Sequence, residues 1–365
     1  MTATCKAAVI VGYGQPLIVT DVEIPALEPG GVLVEVEAAT LCGTDVHFWQ
    51  HGEDLLGPDK LPYIPGHETC GRIVEINGSR TDNLGAPLAP GDRIIGAYPY
   101  CGHCFYCTVS QQPTMCTWGF RYGRERSDQY PFLLGGCAEM HYYPPGCDLI
   151  RVPETVSSEL AASAACALRT VMHGFERLGA LNGYETVVVQ GAGPVGLYAA
   201  AVAQTRGANR VLVVGAPAAR LSVATRWGAD DVLDLDAMPS AADRHQWVLS
   251  ETHGRGADVV IQCATSAAVP EGVNFLRPGG RYLAIGGGGH DPGIPTVALH
   301  KQITYSSLFM AEGRHFYEAI RFLDSQHGRF PFQEMITGRY KLSDLTDALE
   351  AMAAYREVKP VVLPA

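Results

Sequence analysis

Four cysteines crowd one short stretch of this chain, Cys101, Cys104, Cys107 and Cys116, spaced C-x2-C-x2-C-x8-C. Four thiolates at such spacing can close a tetrahedron around Zn²⁺ with no open position, the arrangement of an ion that holds a loop in shape. A zinc ribbon that grips nucleic acid is the other use of such a cluster. It is disfavoured because no Lys or Arg lies between these cysteines. Upstream, Leu41-Cys42-Gly43-Thr44-Asp45-Val46-His47 packs a thiol, a hydroxyl, a carboxylate and an imidazole into a few residues, and Pro65-Gly66-His67-Glu68-Thr69-Cys70 adds a second such group. Downstream, Glu185-Thr-Val-Val-Val-Gln190 runs into Gly191-Ala192-Gly193-Pro194-Val195-Gly196. In a G-x-G-x-x-G turn the first glycine makes the tight bend, the second lets backbone N–H groups approach a pyrophosphate, and the third lets helix pack on strand. The anion then sits at the positive end of the helix.

The elements that must carry these groups fall into two patterns. Up to about residue 150 the chain reads as short strands and turns, with strands at 5–11, 32–38, 72–76 and 93–95. Val32, Val34 and Val36 alternate with Glu35 and Glu37, so one face of that strand is expected to be wet. From about 156 the pattern changes to alternating helix and strand. A helix is expected over Ser157–Leu181, strands at 185–190, 210–214, 231–235, 257–262 and 280–285, and helices at about 195–206, 217–227, 240–253 and 266–276. That order implies a parallel, doubly wound sheet. It fades at Gly286–Gly289, after which Glu312–Gln326 and Ser343–Ala354 read as amphipathic helices and Val358–Leu363 as a last strand.

At 365 residues the chain suggests about two domains. Hydrophobic residues at 47% and charged residues at 18% exclude disorder. A formal net charge of -11 without any basic run argues against nucleic acid as a partner. The first residues lack a signal-peptide pattern and no apolar run reaches spanning length, so no membrane partner and a cytoplasmic location are expected. Eleven cysteines in that setting read as thiols and metal ligands rather than disulfides. Cys5, Cys137, Cys147 and Cys263 sit in apolar surroundings and read as small buried hydrophobes.

With Gly66-His67-Glu68, the Cys-Gly-Thr-Asp-x-His run, the four-cysteine lobe and the glycine turn in this order, the chain resembles the medium-chain, zinc-dependent alcohol dehydrogenases. The likeness covers nearly the whole length. It implies an α/β protein: a GroES-like β-rich catalytic domain over 1–155 with a zinc lobe at 98–118, a Rossmann cofactor domain over 156–300, and a segment over 301–365 that returns to the first domain. Carried over by position, the resemblance implies that Cys42, His67 and Cys166 hold a catalytic zinc. Cys166 is chosen because Cys166-Ala-Leu-Arg-Thr170-Val-Met-His-Gly174 matches the family's spacing. Two thiolates and an imidazole leave a fourth position for water or substrate. Glu68 and Asp45 resemble carboxylates that orient the ligands or approach the ion. Thr44 would accept the hydrogen bond of the alcohol oxygen and His47 would pass its proton toward solvent; the plainer readings are a helix N-cap for Thr44 and a surface residue for His47. Thr170 would sit against the nicotinamide, and Gly191, Gly193, Pro194, Val195 and Gly196 would cradle the pyrophosphate.

Two departures from the family pattern stand out. The lobe has eight residues between Cys107 and Cys116, one more than usual. Gly215 ends the strand Arg210–Val214 where NAD enzymes place the acid that grips the ribose diol. Arg220, five residues on, could serve ribose or phosphate. The reading is NAD, with NADP as the alternative. The substrate is expected to be an apolar secondary or cyclic alcohol, or its ketone or aldehyde, because Leu41, Phe48, Trp49, Tyr98, Trp118 and Phe120 lie near the ligand segments. The polyol branch tends to use a carboxylate where this chain has Cys166. The resemblance implies a homodimer or homotetramer. The competing readings are a zinc-independent reductase of an activated alkene or imine, and a catalytically silent family member.

Overall fold

The computed structural model describes residues 3–118, 120–288 and 293–364. The chain divides into two units, one running up to Arg169 and adding Ala311–His327 and the stretch from Phe332 on, the other comprising Thr170–Met310 and Gly328–Pro331.

In the first unit β1 (Thr4–Val9) pairs antiparallel with β2 (Ile18–Glu23). β3 (Val32–Thr40) leads into α1 (Gly43–Leu55); β4 (Glu68–Ile76), β5 (Arg93–Gly96), the short α2 (Phe105–Thr108), β6 (Met140–Tyr143), β7 (Leu149–Arg151) and α3 (Ser158–Ser163) follow. The alternation expected in β3 holds only around Glu35 and Glu37; the strand's two ends are buried, and β4 pairs along its length with β6 beside its start and the segment Lys359–Val362 beside its end. Its valines pack with Ile10, Tyr63, Ile73, Tyr142 and Tyr143 in the unit's main core.

The helix expected over Ser157–Leu181 is interrupted. After α3 the backbone takes a π turn over Ala164–Leu168, then continues as α4 (Arg169–Leu178). It stops where Gly179 adopts a φ of 80°, the left-handed conformation that ends helices.

The second unit is built on β8 (Thr186–Gln190), α5 (Pro194–Thr205), β9 (Arg210–Gly215), α6 (Ala218–Arg226), β10 (Asp231–Asp234), α7 (Ala241–Glu251), β11 (Ala257–Gln262), α8 (Val269–Phe275), β12 (Leu276–Ala284), α9 (Val297–His300) and β13 (Thr304–Ser307). The sheet order is β10-β9-β8-β11-β12-β13, with every pair parallel. β8 and β11 are buried along their whole length, as central parallel strands must be. Strand order reverses between them, and crevices that bind ligands open at such a switch point. β13 corrects the expected boundary at 300/301: Thr304–Ser307 extends this sheet beside β12 instead of rejoining the first unit. At the other end, α3 and the π turn belong to the first unit rather than to the stretch from 156 on. Of the glycine run 286–289, Gly289 lies outside the described residues.

The chain then returns to the first unit through α10 (Gly313–Gln326), β14 (Ile336–Tyr340), α11 (Leu345–Ala353) and β15 (Lys359–Val362). The order β14-β15-β3-β4-β5-β7, with β6 on β3, seats the last strand directly beside β3. As a result Thr40, Glu68 and Lys359 come from three neighbouring strands, with Thr40 opposite Glu68 and Val361 opposite Thr40.

Candidate active site

Cys42 leaves β3 in an extended conformation and serves as the N-cap of α1, where its sulfur accepts the Thr44 N–H at 3.3 Å. Asp45 completes a capping box by accepting the Cys42 N–H at 2.9 Å. The cap is therefore Cys42, not Thr44, and its sulfur faces the ligand cluster at the same time. Asp45 is 2% exposed; its other oxygen accepts the Gly66 N–H at 3.2 Å and lies 3.4 Å from His67 Nδ1. Gly66 has a φ of 88°, and a Cβ there would meet the Cys137 sulfur at 2.9 Å, so only glycine turns the chain at this point. Held from the Nδ1 side, His67 brings Nε2 to 3.5 Å from Cys42 Sγ. Cys166 lies within the π turn, a form that shifts the side chains it carries off the α-helical register and recurs at functional sites.

The ligand atoms of Cys42, His67, Glu68 and Cys166 all lie within 4.8 Å of one another. A hydrogen bond from the Cys42 thiol brings the Cys166 pKa down to about 5, while the same bond and burial push Cys42 up. Burial works to lower the His67 pKa, but Tyr98, Cys42, Asp45 and Cys166 outweigh it and hold the imidazole well above its usual range. Glu68 is 0% exposed and burial raises its carboxyl to about 7, with Lys359 pulling the other way. Its Oε2 is held by the Thr40 hydroxyl and by Lys359 Nζ. Its Oε1 has no hydrogen-bond partner and sits 3.9 Å from His67 Nε2. Two sulfurs, one imidazole and a buried carboxylate oxygen left unpaired are the donor set that suits zinc. Lys359 escaped the sequence reading; the signal was a lysine inside the otherwise apolar Val358–Leu363.

Cys101, Cys104, Cys107 and Cys116 form the second such group, again with all ligand atoms within 4.8 Å. The Cys104 and Cys107 sulfurs are 3.5 Å apart, and the Cys104 N–H points to Cys101 Sγ at 3.3 Å. Between Cys107 and Cys116 the chain makes a left-handed turn at Gln111 and a 3₁₀ turn over Pro113–Met115, and Cys116 joins the cluster directly after it. Four sulfurs leave no donor position open, as in a structural site.

In the second unit the glycine turn abuts the end of β11. Gly191 has a φ of 107°, and a Cβ there would lie 3.1 Å from the Cys263 carbonyl carbon. Gly193 is the N-cap of α5 with no side chain capping it, and Pro194 takes the first helical position, so no side-chain cap takes up the N–H groups of Val195 and Gly196. Open space lies above Gly193 except for Arg220, whose guanidinium is 4.0 Å from where a Cβ would be. Uncapped N–H groups with a cation beside them form an anion cradle. A Cβ on Gly215 would sit 2.9 Å from the Ala192 backbone nitrogen, so a side chain at the ribose-gripping position would push on the turn itself. Thr170 is half-buried near the start of α4.

Thr44 and His47 are exposed, three residues apart on α1. The six aromatic and apolar candidates separate. Leu41 is fully buried, Trp49 is buried with its indole N–H on the Gln15 carbonyl, and Phe48 packs on the core. Trp118 and Phe120 are 66% and 40% exposed. Tyr98 lies close enough to the cluster to interact with it electrostatically: burial raises its pKa while His67 and Arg169 act to lower it. Its ring stacks on Tyr122 at 5.1 Å.

Comparison with known proteins agrees with this geometry. Residues 28–154 match the alcohol dehydrogenase GroES-like domain, and residues 194–325 match the zinc-binding dehydrogenase family. The 5-exo-hydroxycamphor dehydrogenase of Pseudomonas putida is 33% identical over 93% of this chain and 94% of its own length. An alcohol dehydrogenase of Thermotoga maritima superposes with a TM-score of 0.90 at 33% identity, covering 100% of both chains. A dehydrogenase of Sinorhizobium meliloti 1021, solved bound to NADP, superposes with a TM-score of 0.84 at 29% identity over 99% of this chain and 100% of its own. With its two matched domains and its full-length relatives, this chain belongs to the medium-chain, zinc-dependent alcohol dehydrogenase family.

Proposed function

We propose that this chain oxidises an apolar secondary or cyclic alcohol to its ketone with NAD, and reduces the ketone in reverse. The observation that carries the reading is the convergence of Cys42, His67, Glu68 and Cys166 within 4.8 Å. Cys42, His67 and Cys166 would hold the catalytic zinc, and the four lobe cysteines a structural one. A zinc ion held there would supply Lewis acidity at the alcohol oxygen, and a nicotinamide cofactor would supply the hydride acceptor. Thr44 takes the hydrogen bond of the substrate hydroxyl, and His47, one helical turn on, carries its proton to solvent. Asp45 fixes the tautomer and angle of His67 through Nδ1. Val195 and Gly196 bind the cofactor pyrophosphate through their N–H groups, with Arg220 on its adenosine side and Thr170 at its nicotinamide end.

Tyr98, an aromatic residue electrostatically close to His67, Cys42 and Cys166, supports an apolar, ring-shaped substrate. The hydroxycamphor relative, named for a ring alcohol, points the same way. NAD is the reading because Ala216 and Pro217 after Gly215 supply no donor for a 2′-phosphate. β13 leaves the sheet with a partly exposed edge strand, which supports a homodimer or homotetramer formed by pairing with a second copy. Eleven free cysteines fit a reducing, cytoplasmic setting; no helix among the described residues is long and apolar enough to cross a membrane.

The test is a panel of alcohols and ketones followed by nicotinamide absorbance with NAD and NADP at equal concentration, before and after chelation. Turnover of ring alcohols, lost on chelation and restored by Zn²⁺, supports the reading. Turnover of an activated alkene that survives metal removal overturns it.

A further inference from the structure

Lys359 opens β15 with no exposed surface, and its ammonium lies against Glu68 Oε2, itself fully buried. A buried lysine without a role is rare, since removing a charge from water is unfavourable unless a partner holds it. The strands fix the partner: β15 lies beside β3 and β3 beside β4, so Lys359, Thr40 and Glu68 meet at one end of three adjacent strands. The Thr40 hydroxyl takes the same carboxylate oxygen. One side of Glu68 is thereby fully engaged. The other oxygen, Oε1, has no hydrogen-bond partner and lies 3.9 Å from His67 Nε2, on the side of the cluster in which Glu68 offers one of four ligand atoms gathered within 4.8 Å.

Charge makes the same point. Two thiolates, Glu68 and Asp45 would place four negative charges in one buried volume. A divalent cation answers two of them. Asp45 is served by the N–H groups of Cys42 and Gly66 and by the His67 ring. Lys359 supplies the remaining positive charge, from the side of Glu68 away from the cluster.

We propose that Lys359 is a positioning residue for the catalytic ion: by holding Glu68 from behind, it presents the free carboxylate oxygen as a fourth donor and so sets how tightly the resting site retains metal. The proposal rests on the zinc site described above. Without Lys359 the carboxylate has no counter-charge behind it, and a negative site that already holds two thiolates repels it.

The experiment compares the full-length protein with Lys359→Arg, Lys359→Met, Glu68→Gln and the double variant Glu68→Gln/Lys359→Met. One readout is the rate of zinc release to a chromogenic chelator; the other is the visible ligand-field spectrum of the protein loaded with Co²⁺. Lys359→Met is expected to release the ion about tenfold faster and to shift the cobalt bands, with Lys359→Arg restoring both. In the Glu68→Gln background, Lys359→Met is expected to change neither readout more than about twofold. Should Lys359→Met fail to fold, the double variant, which removes both charges together, is compared with Glu68→Gln alone. A folded Lys359→Met protein with the parent's release rate and spectrum overturns the proposal. So does an effect of Lys359→Met that persists undiminished without Glu68. A parent chain whose metal content is unchanged by Cys42→Ser overturns the zinc-site reading itself, which is a separate result from either of these.

Discussion

Asp45 Oδ1 lies 3.4 Å from His67 Nδ1 while Asp45 Oδ2 holds the Cys42 backbone N–H at 2.9 Å, so one buried carboxylate orients two residues of the proposed zinc cluster. Asp45→Asn keeps the shape of the cap but puts an amide where an acceptor faces the imidazole. The expected result is a ten- to hundredfold weaker hold on the catalytic ion, about the usual cost of losing a partner that orients a ligand. Competition with a chelator measures it, and the lobe ion serves as the internal reference because Asp45 does not touch it. Equal retention of both ions in the variant and the parent would show that His67 needs no such support.

The parts of this site that could be read in the sequence are those where chemistry dictates residue type over a short span. The glycine turn is one, because a pyrophosphate and a close helix demand glycine at fixed offsets; the four-cysteine lobe is another. Lys359 was illegible because its partner lies almost the length of the chain away, and a lone lysine in an apolar strand reads as a solvated end. β13 was missed because Thr304–Ser307 is a polar, half-exposed edge strand with no hydrophobic period to betray it. The π turn leaves no mark in the alanine-rich run before Cys166. The aromatic residues misled in the other direction: nearness along the chain to Cys42 and Cys116 made Trp49 and Trp118 pocket candidates, whereas Trp49 is buried in the core and Trp118 is exposed.

Thr44 offers a clean separation of chemistry from structure. Its backbone N–H, which any residue supplies, is what reaches Cys42 Sγ, and its side chain is exposed. Thr44→Val should leave stability within about 0.5 kcal/mol of the parent and zinc content unchanged. Alcohol oxidation at neutral pH should fall by roughly 10²–10⁴ in kcat/KM, and Thr44→Ser should recover most of it. Steady-state rates with both variants check this, and parent-like turnover by the valine variant would remove Thr44 from the proton path.

Gly196 tests the cofactor cradle without touching the metal. A Cβ at this position would sit 1.8 Å from the Gly191 carbonyl oxygen, and that oxygen belongs to backbone already committed to a φ of 107°. Gly196→Ala must therefore push α5 away from the turn, at about 1–3 kcal/mol of stability. The uncapped N–H groups of Val195 and Gly196 move with the helix. Nicotinamide cofactor affinity, followed by quenching of protein fluorescence, should fall at least about tenfold while zinc content stays that of the parent.

His141 gives the fold a dependence on pH that is independent of catalysis. The ring is 0% exposed, packed edge-on against Tyr122 at 4.9 Å and Tyr143 at 4.6 Å. Burial lowers its pKa to about 4, with the Gly135 backbone only partly opposing the shift. The unfolded chain binds this proton near pH 6.5 and the folded one not until about pH 4, so stability is full above 6.5 and is lost as pH falls through that window. The gap corresponds to roughly 3 kcal/mol once both limits are passed. Thiolates that lose their metal in acid destabilise the protein over the same range, so the informative quantity is a difference between variants. His141→Phe keeps an aromatic ring between the two tyrosines and removes the titration. Urea midpoints measured at pH 7 and pH 4.5 should fall less steeply in the phenylalanine variant than in the parent. Parallel losses in the two proteins would place the acid sensitivity in the metal sites alone.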